Sequence, residues 1–79
     1  MKSTNIVHEY FKRDFDEDGF SVLVRINPHD FSGLELIVAG GNVLEKNNRE
    51  LDEEVYEDLK EDGFEKANAL EFNMYLAKC

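Results

Sequence analysis

The chain has no tryptophan, one proline and one cysteine. A single thiol, Cys79, cannot close a disulfide within the chain, and the expected location is the reducing cytoplasm. No apolar run approaches the roughly 20 residues that span a bilayer. The opening residues, Met-Lys-Ser-Thr-Asn-Ile, do not lead into the apolar stretch of a secretory signal. Basic residues are scarce: 9 Lys and Arg face 18 Asp and Glu, for a formal net charge of −9. That balance argues against nucleic-acid binding through phosphates and against docking on anionic membranes, since both need clustered cations. It favours solubility, cationic partners or cation binding.

What is present is enough for a fold. Hydrophobic residues make up 42% and charged residues 34%, with six Phe and three Tyr, which is the composition of a folded domain. At 79 residues the expected organisation is one small acidic α+β domain over 1–79. A chain of this size buries only roughly 60% of the surface its unfolded form exposes. A functional site is therefore expected on the surface or in a shallow groove.

The negative charge is concentrated. Glu50, Asp52, Glu53, Glu54, Glu57, Asp58, Glu61, Asp62 and Glu65 fall in sixteen residues with one base, Lys60. A second knot is formed by Asp14, Asp16, Glu17 and Asp18.

Periodicity divides the chain into elements. Ile6, Val7, Tyr10, Phe11 and Phe15 recur at helical spacing, and Thr4 or Asn5 can cap a helix over 4–15. The alternative for residues 6–11 is an edge strand. Gly19 suits a left-handed stop. Residues 20–27 alternate, with Phe20, Val22, Val24 and Ile26 on one face, and read as a strand ended by Pro28. Residues 34–39 read as a second strand, Gly40-Gly41 as a turn, 42–45 as a short third strand and Asn47-Asn48 as a further turn. A second helix is expected from Glu53 to Asp62, with Asp52 as its cap, Leu51 and Tyr56 as a staple and Gly63 as its stop. Residues 68–76 alternate again, with Leu70, Phe72, Met74 and Leu76 inside, and read as a strand. The resulting expectation is an α+β two-layer sandwich: a three- or four-stranded, largely antiparallel sheet with both helices on one face. The expected core includes Ile6, Tyr10, Phe11, Val22, Val24, Ile26, Leu36, Val38, Tyr56, Leu59, Leu70, Phe72 and Met74. Glu17-Asp18-Gly19-Phe20 is echoed by Glu61-Asp62-Gly63-Phe64, as though one helix-to-strand turn were used twice.

Two features could carry function. Asp14-Phe15-Asp16-Glu17-Asp18-Gly19 resembles the first half of an EF-hand calcium loop, in which oxygen ligands alternate ahead of a glycine. The resemblance implies Asp14, Asp16 and Asp18 as ligands for Ca2+. It covers these six residues alone, and Arg25 stands where the loop places its bidentate Glu. The second feature is the acidic helix. Glu53, Glu57 and Glu61 line one ridge and Glu54, Asp58 and Asp62 the next, a like-charged face that a positive partner would relieve. The plain alternative is a solvated helix exterior.

Catalytic signals are thin. His8, His29 and Cys79 do not have the spacing of a zinc site. His29, Asp30 and Ser32 are suitable residue types, but relays converge from separate elements. Gly40-Gly41 lacks the pattern of a phosphate loop. The expectation is a non-enzymatic module that presents Glu53, Glu54, Glu57, Asp58, Glu61 and Asp62 to a basic protein. The alternatives are calcium or another divalent cation at Asp14–Gly19, and mimicry of nucleic-acid charge. The state is expected to be a monomer, or a homodimer through a sheet edge.

Overall fold

The computed structural model describes residues 7–78, so Thr4, Asn5, Ile6 and Cys79 lie outside the described residues. The architecture is α+β: one five-stranded antiparallel sheet and two short helices. The strands are β1 (Glu9–Phe15), β2 (Phe20–Ile26), β3 (Ser32–Ala39), β4 (Asn42–Glu50) and β5 (Glu65–Lys66). The helices are α1 (Val55–Glu61) and α2 (Ala69–Leu76). Strand order across the sheet is β4-β3-β2-β1-β5.

The first four strands form a meander whose turns follow from local chemistry. Gly19 closes the β1–β2 turn with φ 75, where its N–H bonds the Phe15 carbonyl at 2.9 Å, and Phe15 faces Phe20 in register. Gly40 and Gly41, at φ 58 and 81, form the two-residue β3–β4 turn. Positive φ at both centres is what a type I′ hairpin turn requires. Residues 4–15 were expected to be helical. Residues 9–15 are instead strand β1, because pairing along all of β2 satisfies the backbone and buries Phe11 against Val24. The turn at Glu17–Phe20 therefore joins two strands, unlike its echo at Glu61–Phe64, which follows α1. Asn47 and Asn48 form no turn, since β4 runs on to Glu50 in pairing with β3. A bulge at Leu44 interrupts that pairing, for Val38 faces Val43 and Ile37 faces Glu45.

From β4 at one edge, the chain crosses one face of the sheet as α1 and emerges as β5 at the other edge. It then covers the opposite face as α2. Val55 and Leu59 of α1 pack with Phe11, Val22, Val24 and Ile26. Phe72 of α2 packs with Leu23, Leu36 and Val38. The two helices thus lie on opposite faces, not together on one, and the sheet has three layers' worth of packing instead of two. The reason is β2: Leu23 points away from Val22 and Val24 yet is fully buried, so both sides of the central strand need cover.

Residues 69–76 are a helix, not the expected strand. The Asn68 side chain accepts a hydrogen bond from the Glu71 N–H at 2.8 Å, an N-cap with Glu three residues on. Helical spacing turns Phe72, Tyr75 and Leu76 toward the sheet. Leu70 and Met74, expected in the core, are 71% and 59% exposed. No helix among the described residues is long and apolar enough to cross a membrane.

Candidate functional site

The acidic segment enters its helix through a short turn. The Asp52 carboxylate accepts the Glu54 N–H at 2.9 Å, so Asp52 caps this turn, and α1 proper begins three residues later at Val55. The helix ends in a Schellman arrangement: the Phe64 N–H reaches the Leu59 carbonyl at 2.9 Å and the Gly63 N–H reaches that of Lys60 at 3.1 Å. Gly63 has φ 85, which permits this ending. Burial of Val55 and Leu59 fixes the rotation of α1 about its axis. Glu53, Glu54, Glu57, Asp58, Glu61 and Asp62 are consequently all exposed.

These six carboxylates form no ion pair among the described residues. The ion pairs among the described residues are Lys12–Asp14, Lys12–Glu71, Arg49–Glu35 and Lys66–Glu9, and none includes a carboxylate of the acidic segment. At the C-terminal end of α1, where Lys60 is the base of the last turn, Arg13 of β1 donates to the backbone carbonyl of Asp62.

Beside α1, toward β5, lies an open groove of about 580 Å³. Phe11, Tyr56 and Phe64 form its apolar floor, and Glu9, Glu57, Lys60, Glu65 and Lys66 its charged rim. The Phe11 and Tyr56 rings lie 5.9 Å apart, and Tyr56 also meets Phe31 edge-on at 6.3 Å. On the rim, the Lys66 ammonium donates to Glu9 at 2.9 Å, which holds the ammonium above its ordinary pKa. Burial of the Tyr56 phenol, assisted by the charge of Glu9, raises its pKa as well. The groove was not anticipated from the sequence. The legible signal was Phe64 itself, an apolar residue just after the helix-ending glycine, where such motifs pack back on the helix.

The Asp14–Gly19 segment is dispersed by the hairpin. Asp14 lies in β1, where its Oδ1 accepts the Ser21 hydroxyl at 2.6 Å and lies 3.7 Å from the Lys12 ammonium. Asp16 and Asp18 lie in the exposed turn. Arg25 sits in β2 with its guanidinium 5.5 Å from the Phe72 ring centre. Among the described residues, no group of three or more His, Cys, Asp or Glu is gathered to hold a metal ion.

The β2–β3 loop uses its polar groups on itself. Asp30 Oδ1 accepts both the Ser32 N–H at 2.9 Å and the Ser32 hydroxyl at 2.7 Å, while Asn27 accepts the His29 N–H at 2.8 Å. The two bonds from Ser32 hold the Asp30 carboxyl below its ordinary pKa, the backbone one foremost. They also support Phe31 at φ 58, from which its ring reaches Tyr56.

No protein-family model matches the chain, and no curated protein or solved structure resembles it at a significant level.

Proposed function

We propose that this chain is a small acidic protein-interaction module that presents α1 and its flanks to a basic partner protein. One observation carries the reading: six carboxylates share one short exposed segment, and none is in an ion pair with another described residue, while Glu9, Asp14, Glu35 and Glu71 elsewhere are. Like charges one helical turn apart cost about 0.2–0.5 kcal/mol per pair, a cost that a cationic partner removes. Such a surface speeds encounter with a positive protein and makes binding depend steeply on salt. A protein that binds nucleic acid through its own bases would be one such partner, and α1 would then compete with the polyanion.

The test is capture by the tagged chain at low and high salt, beside a variant carrying Glu53→Lys, Glu57→Lys and Glu61→Lys. All three side chains are exposed, so the variant keeps its fold. A basic protein held by the unmodified chain at low salt, and released by salt or by the charge reversal, supports the reading. Retention that ignores the triple substitution refutes it. A parallel calcium titration followed by NMR separates the divalent-cation reading, which requires shifts confined to residues 14–20.

A further inference from the structure

We infer that the groove between α1 and β5 seats one large apolar side chain of a Lys/Arg-rich peptide segment, whose bases are held by the neighbouring carboxylates. The inference rests on the docking role of α1 and adds the chemistry of what docks there.

The floor and the rim make separate demands on an occupant. Phe11, Tyr56 and Phe64 converge from β1, α1 and the residue after the helix stop. Tyr56 and Phe64 remain only half-buried, so each keeps apolar surface turned to water. Their cavity, about 580 Å³, has the size of ordinary ligand pockets and admits an aromatic ring. On the rim, Glu9 is engaged by Lys66, but Glu57 and Glu65 are exposed and outside any ion pair of the described residues. Lys60 is the rim's remaining cation, and Glu61 in α1 and Glu53 in the turn before it add negative charge on either side of Glu57.

A neutral apolar ligand would satisfy the floor alone, and an acidic one would face Glu57 and Glu65 against a single cation, Lys60, since Lys66 is engaged by Glu9. A segment with an apolar anchor between bases satisfies both. A desolvated anchor in a pocket inside a polar rim is the usual layout of a protein-recognition hot spot.

The chain has no Trp, so the fluorescence of a Trp-bearing peptide reports on the peptide alone. The probe is acetyl-Lys-Arg-Trp-Arg-Lys-amide, compared with the same peptide carrying Ala for Trp and with an all-Glu flanked version. The expected result is binding of the basic Trp peptide about tenfold or more tighter than the Ala peptide. Its emission shifts to the blue, and the ring resonances of Phe11, Tyr56 and Phe64 move. Phe64→Ala should bring the Trp peptide down to the affinity of the Ala peptide. Lys60→Phe, at an exposed position, provides a second test should Phe64→Ala fail to fold, because its ring occupies the groove mouth and blocks the anchor.

Equal affinity for the Trp and Ala peptides overturns the groove's role and leaves the docking role of α1 standing. Trp-dependent binding that persists in the Glu53/Glu57/Glu61→Lys variant overturns the basic-partner reading and, with it, this occupant. Absence of binding by both basic peptides overturns the two together.

Discussion

Replacing Phe72 by Ala is the sharpest test of how the C-terminal segment is built. Phe72 is 1% exposed and is the buried residue of α2. Its ring meets Tyr10 edge-on at 5.4 Å and lies under the Arg25 guanidinium at 5.5 Å. Removing a buried Phe costs about 3–5 kcal/mol in lost burial and residual cavity. The whole domain, at about 0.05–0.15 kcal/mol per residue, has only about 4–12 kcal/mol to lose. Urea unfolding followed by circular dichroism, with a slope of about 1 kcal/mol per molar for so small a chain, should show the midpoint fall by about 3 M or more, or no folded baseline at all. Leu70→Ala and Met74→Ala provide the contrast. Both residues are mostly exposed, so each change should stay within about 0.5 kcal/mol. A strand over 68–76 would instead bury Leu70, Phe72 and Met74 on one face and make all three changes costly. A loss under about 1.5 kcal/mol for Phe72→Ala, or losses of equal size at Leu70 and Met74, would refute the helical account.

Two further outcomes follow from the backbone and from protonation. Gly63→Ala should cost about 1 kcal/mol in chemical unfolding, because the residue keeps φ 85 while its new Cβ meets the Arg13 side chain only at ordinary contact distances from 3.5 Å. An unchanged midpoint would mean that α1 ends differently. In alkaline solution, Lys12 and Lys66 hold their protons more tightly than usual, through hydrogen bonds to Glu71 and Glu9, and Tyr56 does so through burial. The unfolded chain releases these protons first, near pH 10, so their contribution to stability is full below that pH and declines above it. Asp30 has the opposite sense: its carboxyl is held below the ordinary value, so its contribution is present above about pH 4 and lost on acidification. Melting temperatures should therefore fall on both sides of a neutral plateau, and a rise between pH 10 and 11 would contradict the assignment.

Much of the meander was legible in the sequence. The alternation of β2, the Gly40-Gly41 hairpin turn and the glycine stop of α1 are local signals, and each resides in a few adjacent residues, whereas Gly19, expected to end a helix, closes a hairpin. The two misread segments had patterns that fit two periods. Phe11 and Phe15 are four apart, which suits one face of a helix and one face of a strand equally. In 68–76, Leu70, Phe72, Met74 and Leu76 alternate, yet Phe72, Tyr75 and Leu76 also keep helical spacing, and the Asn68-to-Glu71 capping signal decides between them. Of the candidate site, the charge of α1 was legible because it is a property of composition and helical phase. The groove was not, because its floor joins Phe11 to Tyr56 and Phe64 across more than forty residues of chain.

The sequence by itself determined the glycine breaks at Gly19, Gly40-Gly41 and Gly63, the apolar strand at 20–26, and the concentration of negative charge in and beside one short helix. Those features depend on glycine conformational freedom, on side-chain alternation and on formal charge, none of which needs a distant partner. Only the tertiary structure decided that 9–15 pairs as a strand, that α1 and α2 take opposite faces of the sheet, and that an apolar groove opens beside the acidic helix. A periodic pattern specifies which side of an element is apolar but not what will cover it. That choice was made by Leu23, buried on the far side of β2, whose burial calls for a second helix on that face.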